Sequence, residues 1–220
     1  TWNNSTPWAT SAMYEMRDTD SAGQQKGLSA FGRQIVRRMN ELGIIVDVSH
    51  VGEQTFWDAI QTSTQPVIAS HSSAYALCPV FRNLKDDQLK AIARNGGVVH
   101  LNFFSGFLDS TFTDRSRLFN RQYRWERDSL LKEGGDTASV DRSLQQKYAD
   151  TLMALRPPLS LLLDHLDYLV KVAGIDHVGL GSDFDGISST PQQLDDVTDL
   201  PVITRELVNR GYSKRAIRKI

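Results

Sequence analysis

Two histidines and one aspartate in this sequence occupy positions from which they could bind a metal ion. His50 and His71 each end an apolar, β-branched run and each follow a serine, and Asp183 ends a later run of the same kind. Imidazole and carboxylate groups are the usual ligands of zinc and similar transition metals. The carboxyl ends of neighbouring parallel strands lie at one edge of a sheet, so side chains distant in sequence meet there. The sequence therefore predicts a metal-centred hydrolytic site on His50, His71 and Asp183, with Asp183 also able to transfer protons.

A second carboxylate follows the apolar run that Asp183 ends. Asp185 is two residues beyond Asp183, and Gly186 directly behind it indicates a turn. We expect Asp185, in this turn, to face away from Asp183. We therefore favour Asp183 as the functional carboxylate, the other interpretation being that Asp183 only caps the turn.

The three remaining histidines have structural interpretations. His165 and Asp167 imitate a metal-binding His-x-Asp pair, but residues two apart on a helix point in different directions. His177 stands where a strand begins, at the end of a barrel that serves stability. His100 lies inside a strand in phase with Asn102, so it could line the pocket, although a core position is favoured.

The elements that must position these residues follow from hydrophobic periodicity and cap signals. Continuous apolar runs predict buried parallel strands, and apolar residues at helical spacing between a cap and a glycine predict helices. The predicted strands cover 43–50, 66–71, 98–103 and 177–182; the predicted helices cover 29–42, 53–62, 85–94, 159–173 and 200–210, with another beginning after residue 213. This alternation is typical of an α/β fold.

Four strands, each followed by a helix, make half of an eight-stranded barrel. An isolated half would expose two sheet edges, the segment 214–220 predicts a helix without a final cap, and the opening residues carry no start signal. We predict a (β/α)8 TIM-type barrel of the metal-dependent hydrolase kind. Residues 1–220 would form its later half to two-thirds as one domain, without the N-terminal strands and the extreme C terminus. The Arg-rich stretch 114–156 departs from the alternation and is predicted to be a charged, helical insertion.

The composition limits the class of protein and of partner. Hydrophobic residues make up 40% and charged residues 23%, which fits one globular domain. A net charge of -1 gives no reason to expect nucleic acid or an acidic membrane, so a small molecule is the expected partner. No apolar run approaches the roughly 20 residues that span a bilayer. Cys78 is the only cysteine, which excludes an internal disulfide and a Cys-x-x-Cys motif. Periplasm, cell envelope and cytoplasm all stay open as compartments.

Several of these segments together resemble one known family. They are Asp47-Val48-Ser49-His50, Ser70-His71-Ser72-Ser73-Ala74-Tyr75 with Arg82-Asn83, and Gly179-Leu180-Gly181-Ser182-Asp183-Phe184-Asp185-Gly186. In order and spacing they resemble the membrane (renal) dipeptidase family of zinc metallopeptidases, and residues 5–8 and 27–32 agree. The resemblance covers nearly the whole chain apart from the charged insertion.

The resemblance implies a (β/α)8 barrel in which two zinc ions, bridged by a carboxylate and a hydroxide, hydrolyse dipeptides. His50 and His71 match the two histidines that hold one zinc ion. Asp183 matches the aspartate that ligates metal or relays protons to the attacking water.

The resemblance also implies how substrate and partner subunit are bound. Arg82 matches the arginine that binds substrate, and Asn83 and Tyr75 belong to the same substrate-binding segment. A guanidinium can hold the carboxylate of a dipeptide through two parallel hydrogen bonds. The family further implies a homodimer.

Two departures from the family pattern concern the same site. The family's His-x-Asp pair on the first strand and its bridging glutamate on the third have no counterpart in these 220 residues. The ligands of the second zinc ion and the bridging carboxylate are therefore expected outside this chain. A histidine that contacts substrate in relatives falls on Trp2 here.

Two other functions stay open on the sequence alone. One is a related barrel amidohydrolase that acts on another small amide or lactam. The other is an inactive barrel that serves as a binding module.

Overall fold

A computed structural model describes residues 5–14 and 26–220 of the chain. The described part contains a parallel sheet with helices between its strands. The strands are β1 Ile68–Ser72, β2 Val98–Leu101 and β3 Val178–Leu180; the helices are α1 Ala30–Glu41, α2 Glu53–Thr62, α3 Asp86–Arg94, α4 Ser105–Leu108, α5 Phe112–Lys132, α6 Thr137–Lys147, α7 Ala149–Leu155, α8 Leu159–Ala173, α9 Leu200–Asn209 and α10 Lys214–Ile217. Trp2 lies outside the described residues.

The three strands are arranged in the order β1-β2-β3, and both pairings are parallel. Ala69 pairs with Val99, which in turn pairs with Val178. Parallel pairing requires long crossovers, and here helices α3 and α8 lie between the strands they connect. The carboxyl ends of all three strands consequently face the same side of the molecule.

The prediction of a regular strand at 43–50 is wrong. This segment makes only an isolated parallel bridge between Asp47 and Ile68, with the Val48 amide donating to the Ile68 carbonyl at 2.8 Å. Ile44 and Ile45 are 50% and 64% exposed, because no described element covers them. The apolar run correctly indicated an extended segment beside β1, but at the sheet edge its pairing is limited to the residues around Asp47. The strands predicted at 98–103 and 177–182 are likewise shorter in the structure.

The helices predicted from periodicity and caps are confirmed. The Ser29 hydroxyl accepts the Gly32 amide at the start of α1, and Gly174, with φ 93°, ends α8. The apolar faces of α3 and α8 cover one side of the sheet. The fully buried side chains of this layer are Leu89 and Ile92 of α3, Val99 and Leu101 of β2, and Leu162, Leu166 and Leu169 of α8. Burial of such side chains stabilises the fold by roughly 1.5–3 kcal/mol each.

The charged stretch at 114–156 is helical, as predicted. Helices α5, α6 and α7 occupy it, and α6 buries Val140 and Leu144. Arg127 on α5 donates from Nε to Asp141 Oδ1 on α6 at 2.6 Å. The division of the chain into one domain with an insertion here stays a prediction. Among the described helices, none combines the length and apolar character needed to cross a bilayer.

His165 on α8 joins two loops at the carboxyl side of the sheet. The Ala74 amide donates to Nδ1 at 3.2 Å, so Nε2 carries the proton and donates to the Leu108 carbonyl at 3.2 Å. The side chain is 1% exposed, and burial lowers the pKa of the imidazole from 6.5 to about 4. This histidine is therefore a neutral structural residue, as its helical position predicted.

We expect His165 to make the fold acid-sensitive. Between about pH 6.5 and pH 4 the unfolded chain binds a proton that the folded imidazole refuses, so the free energy of unfolding falls as pH drops through this window. The contribution is about 2 kcal/mol between pH 7.5 and pH 5. His165→Gln keeps the donor to Leu108 but cannot titrate, so it should lose about 2 kcal/mol less on acidification.

Urea denaturation of both full-length proteins at the two pH values measures this difference. An equal acid-induced loss in wild type and His165→Gln would show that His165 does not carry it.

Candidate metal centre

His50 and His71 lie side by side at the carboxyl end of the sheet. Their ring centroids are 4.8 Å apart, with an angle of 62° between the ring planes. His71 belongs to β1, whereas His50 has a left-handed backbone with φ 69°, and its carbonyl accepts the Ala12 amide at 2.8 Å. A positive φ is uncommon for histidine and is found where the surrounding structure holds it in place. The chain thus turns at His50, where a regular strand would have continued.

The two ring nitrogens of His71 have different surroundings. Nδ1 lies 2.8 Å from the Ser70 hydroxyl oxygen. Nε2 is buried and has no hydrogen-bond partner among the described residues. Because a buried polar atom without a partner is costly, Nε2 is a position at which a ligand would be stabilising.

Both imidazoles are held in their neutral form near pH 7. Burial, with Arg82 and His71 nearby, lowers the pKa of His50 from 6.5 to about 4. Burial also lowers the pKa of His71, and the nearby charge of Asp183 opposes this effect only in part. A neutral imidazole keeps a nitrogen lone pair free, which metal coordination requires.

Arg82 carries a buried positive charge beside the histidines. Its side chain is 7% exposed, its guanidinium carbon lies 5.2 Å from the ring centroid of Phe107, and Nη2 has no partner among the described residues. Burial lowers the pKa of this group to about 10, despite the opposing charges of Asp183 and Asp47. A buried guanidinium in this state is suited to bind an anion.

Asp183 lies across a cavity of about 450 Å³ that is also lined by His50, Arg82 and Phe104. Its backbone is left-handed, with φ 59°, and its carbonyl accepts the Gly186 amide at 2.9 Å, which confirms the predicted turn. A Cβ atom at Gly186 would lie 2.4 Å from Asp183 Oδ1, so a side chain there would displace the Asp183 carboxylate from its present position. Asp183 is half-buried at the cavity. Asp185 is exposed and lines the same cavity, so the expectation that it faces away from Asp183 was wrong.

Asn102 orients the Asp183 carboxylate and was missed by the sequence analysis as a site residue. It is fully buried just beyond β2, and its Nδ2 lies 3.3 Å from Asp183 Oδ2. Its own Oδ1 accepts the Phe104 amide at 2.6 Å, which fixes the orientation of the side-chain amide. The only sequence signal was its position in phase with His100 along the strand.

The other two predicted substrate residues line a second cavity, of about 170 Å³, together with His50 and Arg82. Asn83 donates from Nδ2 to the carbonyls of Cys78 and Phe107, both at 2.8 Å, so its amide group holds the loop. Tyr75 is 36% exposed. Their predicted roles in substrate binding stay predictions.

His177 and His100 lie away from this edge. His177 Nδ1 lies 2.8 Å from the Gly97 carbonyl at the start of the strands. His100 lines a depression of about 600 Å³ that is formed by the beginnings of strands, including Pro66 and Val98. Neither histidine contributes to the rim that holds His50 and His71.

The described residues alone do not offer a complete set of metal ligands. Among them, no group of three or more His, Cys, Asp or Glu side chains is placed so that it could hold an ion by itself. Cys78 is buried, and burial raises the pKa of its thiol to about 11, so it is also no ready nucleophile. A metal bound at His50 and His71 would need further ligands.

Residues 1–220 match the family model of the membrane dipeptidases, peptidase family M19. The chain is 37% identical over 185 residues to an uncharacterized dipeptidase of Schizosaccharomyces pombe, a match that covers 84% of this chain and 35% of that protein. It is similar to a metallopeptidase from Rhodobacter sphaeroides liganded with a phosphinate mimic of the dipeptide L-Ala-D-Ala, with TM-score 0.71, 32% identity and coverage of 100% of this chain and 50% of that one. It is also similar to the probable dipeptidase PvdM from Pseudomonas aeruginosa, with TM-score 0.73, 29% identity and coverage of 100% and 58%.

The chain thus spans about half the length of these solved structures. The predicted fold, a TIM-type barrel of the metal-dependent hydrolase kind of which this chain is a part, is confirmed by this likeness.

We predict that Asn102→Asp destabilises the metal-free protein in a pH-dependent way. The new carboxyl group can still accept the Phe104 amide, but it places a second carboxylate 3.3 Å from Asp183 Oδ2 in a buried site. The expected deficit at pH 7.5 is on the order of 2 kcal/mol. Repulsion by Asp183 raises the pKa of the new carboxyl group, so this group is partly protonated and neutral at pH 5. The loss in free energy of unfolding relative to wild type should therefore be smaller at pH 5 than at pH 7.5.

Chelator-treated full-length proteins can be compared by urea denaturation at both pH values. Asn120→Asp, an exposed substitution, is the matched control and should show no such deficit. A deficit for Asn102→Asp that is independent of pH would contradict the contact with Asp183.

Proposed function

The chain belongs to the membrane dipeptidase family, and we propose that the full-length protein is a zinc-dependent dipeptidase that hydrolyses a dipeptide with a metal-activated water. The observation that carries this proposal is that a position for a metal ion and a position for an anion lie side by side. Among the described residues, neither the buried Nε2 of His71 nor the buried Nη2 of Arg82 has a hydrogen-bond partner. His71 lies beside His50, and His50 and Arg82 line the same cavity. The Nε2 lone pair of His71 can bind a metal cation, and the Arg82 guanidinium can bind an anion.

His50 and His71 would hold one zinc ion. Both are neutral near pH 7, and the free Nε2 of His71 supplies the kind of donor that zinc prefers. Zinc supplies a water that ionises near neutral pH and a Lewis acid for the carbonyl of the scissile amide. Following the family, we propose two zinc ions, with the remaining ligands and the bridging carboxylate contributed from outside these residues.

Asp183 would handle the proton of the reaction. Asn102 holds one carboxylate oxygen in place, so the carboxylate faces the cavity in a fixed orientation. From this position it can ligate metal, accept a proton from the attacking water and pass it to the leaving amine. Phe104 and Phe107 line the same cavity and give part of its wall an apolar surface.

Arg82 would select dipeptides by reading their terminal carboxylate. A carboxylate can accept two parallel hydrogen bonds from a guanidinium, and burial strengthens such a pair. A bound carboxylate of this kind would give Nη2 the hydrogen-bond partner that the described part of the chain does not supply. The phosphinate mimic of L-Ala-D-Ala bound to the similar Rhodobacter sphaeroides metallopeptidase supports a dipeptide as the substrate class. The homodimer stays a prediction.

We predict that metal binding and turnover depend on both histidines of the rim. His50→Ala and His71→Ala should each remove zinc from the full-length protein and abolish dipeptide hydrolysis, because each loses a nitrogen ligand. His165→Gln should keep its zinc, since His165 uses both nitrogens in backbone hydrogen bonds. Elemental analysis and a panel of dipeptides, with and without chelator, measure these effects.

Turnover that is unchanged by chelation would rule out a metallopeptidase. Hydrolysis of other amides or lactams, but of no dipeptide, would instead favour the related amidohydrolase. A wild type that binds no metal and hydrolyses none of these substrates would favour a binding module.

We predict that Arg82→Ala raises KM by at least about 10-fold for dipeptides with a free carboxylate, since a charge-assisted contact is worth more than about 1.4 kcal/mol. Dipeptide amides, which lack the carboxylate, should be affected much less. Arg82→Lys keeps the charge but not the planar pair of donors, so it should restore only part of the affinity.

Steady-state kinetics on matched acid and amide substrates provide the test, with a thermal melt to confirm that each variant is folded. An equal loss on both substrate series would argue against the carboxylate contact.

A further inference from the structure

A network of side-chain hydrogen bonds lies directly behind the two histidines. Asp47 Oδ1 accepts the backbone amides of Ser49 and Ser70 at 3.0 and 3.1 Å, and Asp47 Oδ2 accepts the Ser70 hydroxyl at 2.7 Å. The Ser49 hydroxyl oxygen accepts the backbone amide of His71 at 3.0 Å. The two serines that precede the histidines are therefore both tied to the neighbouring segment.

This network fixes which nitrogen of His71 carries the proton. A serine hydroxyl has a single proton, and that of Ser70 is donated to Asp47. The Ser70 oxygen can then only accept at its 2.8 Å contact with His71 Nδ1, so Nδ1 must be the protonated nitrogen. The lone pair is left on Nε2, which is the buried atom without a partner among the described residues.

The same carboxylate also sets the spacing of the two histidines. The segment around Asp47 and strand β1 are joined by main-chain hydrogen bonds mainly at Ile68, which precedes His71 by three residues. Closer to the site, Asp47 and Ser49 span the gap with the side-chain contacts described above. Each histidine is thus anchored through the residue before it, with the two rings 4.8 Å apart.

We propose that Asp47 and Ser70 are positioning residues that act through His71, holding its metal-binding tautomer and its place beside His50. This inference rests on the proposed function for the identity of the ligand, and it assigns a role to residues other than the ligands themselves. Outer partners of this kind commonly change metal affinity by about 10- to 100-fold.

Asp47→Asn offers an isosteric test, because the orientation of the new amide is forced. Two backbone amides, of Ser49 and Ser70, point at one oxygen, so the amide oxygen must take that place. The amide nitrogen then faces the Ser70 oxygen and donates to it, which frees the Ser70 proton. Ser70 will donate that proton to His71 Nδ1, and the ring should change to the tautomer with its proton on Nε2.

Long-range proton–nitrogen correlation spectra of the metal-free, full-length protein at pH 7.5 report this tautomer directly. We expect His71 to be protonated at Nδ1 in wild type and at Nε2 in Asp47→Asn, with His71→Ala used to assign the signals. Asp58→Asn is the matched control. Asp58 is a buried carboxylate that also accepts a backbone amide, that of Leu28, but it lies on α2 away from the histidines, so this substitution should leave the tautomer unchanged.

Zinc affinity, measured by competition with a chelating dye, is the second readout. Ser70→Ala and Asp47→Asn should bind zinc about 10- to 100-fold more weakly than wild type, and Ser70→Thr, which keeps the hydroxyl, should recover most of the affinity. Ser73→Ala removes a neighbouring buried hydroxyl and should bind zinc like wild type. Within residues 5–14 and 26–220 this hydroxyl donates to the Asn102 carbonyl, at 3.4 Å, and not to Asp47 or His71. If Asp47→Asn does not fold, the three serine variants still decide the question.

The outcomes separate this inference from the proposed function. A wild type that hydrolyses dipeptides, together with an Asp47→Asn variant that keeps its proton on Nδ1 and its zinc affinity, would overturn the positioning role and leave the function standing. A wild type without turnover whose tautomer nevertheless changes in Asp47→Asn would support the positioning role and overturn the function.

Discussion

The parallel pairing at the edge of the sheet is the constraint on which the candidate site depends. Asp47 and Ile68 pair in parallel, so the two chain segments leave the sheet in the same direction and carry His50 and His71 to the same edge. Antiparallel pairing would have sent the two imidazoles to opposite ends. Main-chain hydrogen bonds at Ile68 hold this pairing, and the half-buried Asp47 carboxylate stabilises it by accepting the backbone amide of Ser70.

The electrostatics of the site are those of a place prepared for charged ligands. Burial keeps both imidazoles neutral and keeps the Arg82 guanidinium away from bulk water. Within the described part of the chain, His71 Nε2 and Arg82 Nη2 have no hydrogen-bond partner that would offset this desolvation. A protein that needed only stability would replace such groups with apolar ones. The left-handed backbone conformations of His50 and Asp183 also indicate a functional site, since backbone strain of this kind is concentrated at such sites.

Local patterns predicted the helices well and the strand at the sheet edge poorly. The caps at Ser29 and Gly174 are local signals, and the helices that they bound were confirmed. The extent of the edge strand depends on what pairs with it, which the residues 43–50 do not encode, so the prediction of a regular strand there was wrong.

Asn102 shows the corresponding limit for the site. Its contact with Asp183 joins residues 81 positions apart, and no motif in the sequence marks either as a partner of the other. The strand-end positions of His50, His71 and Asp183 could be read because parallel topology converts strand ends into neighbours. The side-chain amide that orients the carboxylate depends on the exact register between β2 and β3, which the sequence pattern does not reveal.

His165 and His71 illustrate why the residue type alone does not identify a ligand. Burial lowers the pKa of both imidazoles. Both nitrogens of His165 have backbone partners, whereas His71 has Ser70 at Nδ1 and, among the described residues, no partner at Nε2. An open position is not sufficient either, because His100 also has a buried Nδ1 without a partner among the described residues. His100 faces the beginnings of the strands, where parallel barrels place residues that serve stability, and no second histidine or arginine lines its depression. What distinguishes His71 is the combination of a free lone pair, a neighbouring imidazole and a buried cation at the same edge of the sheet.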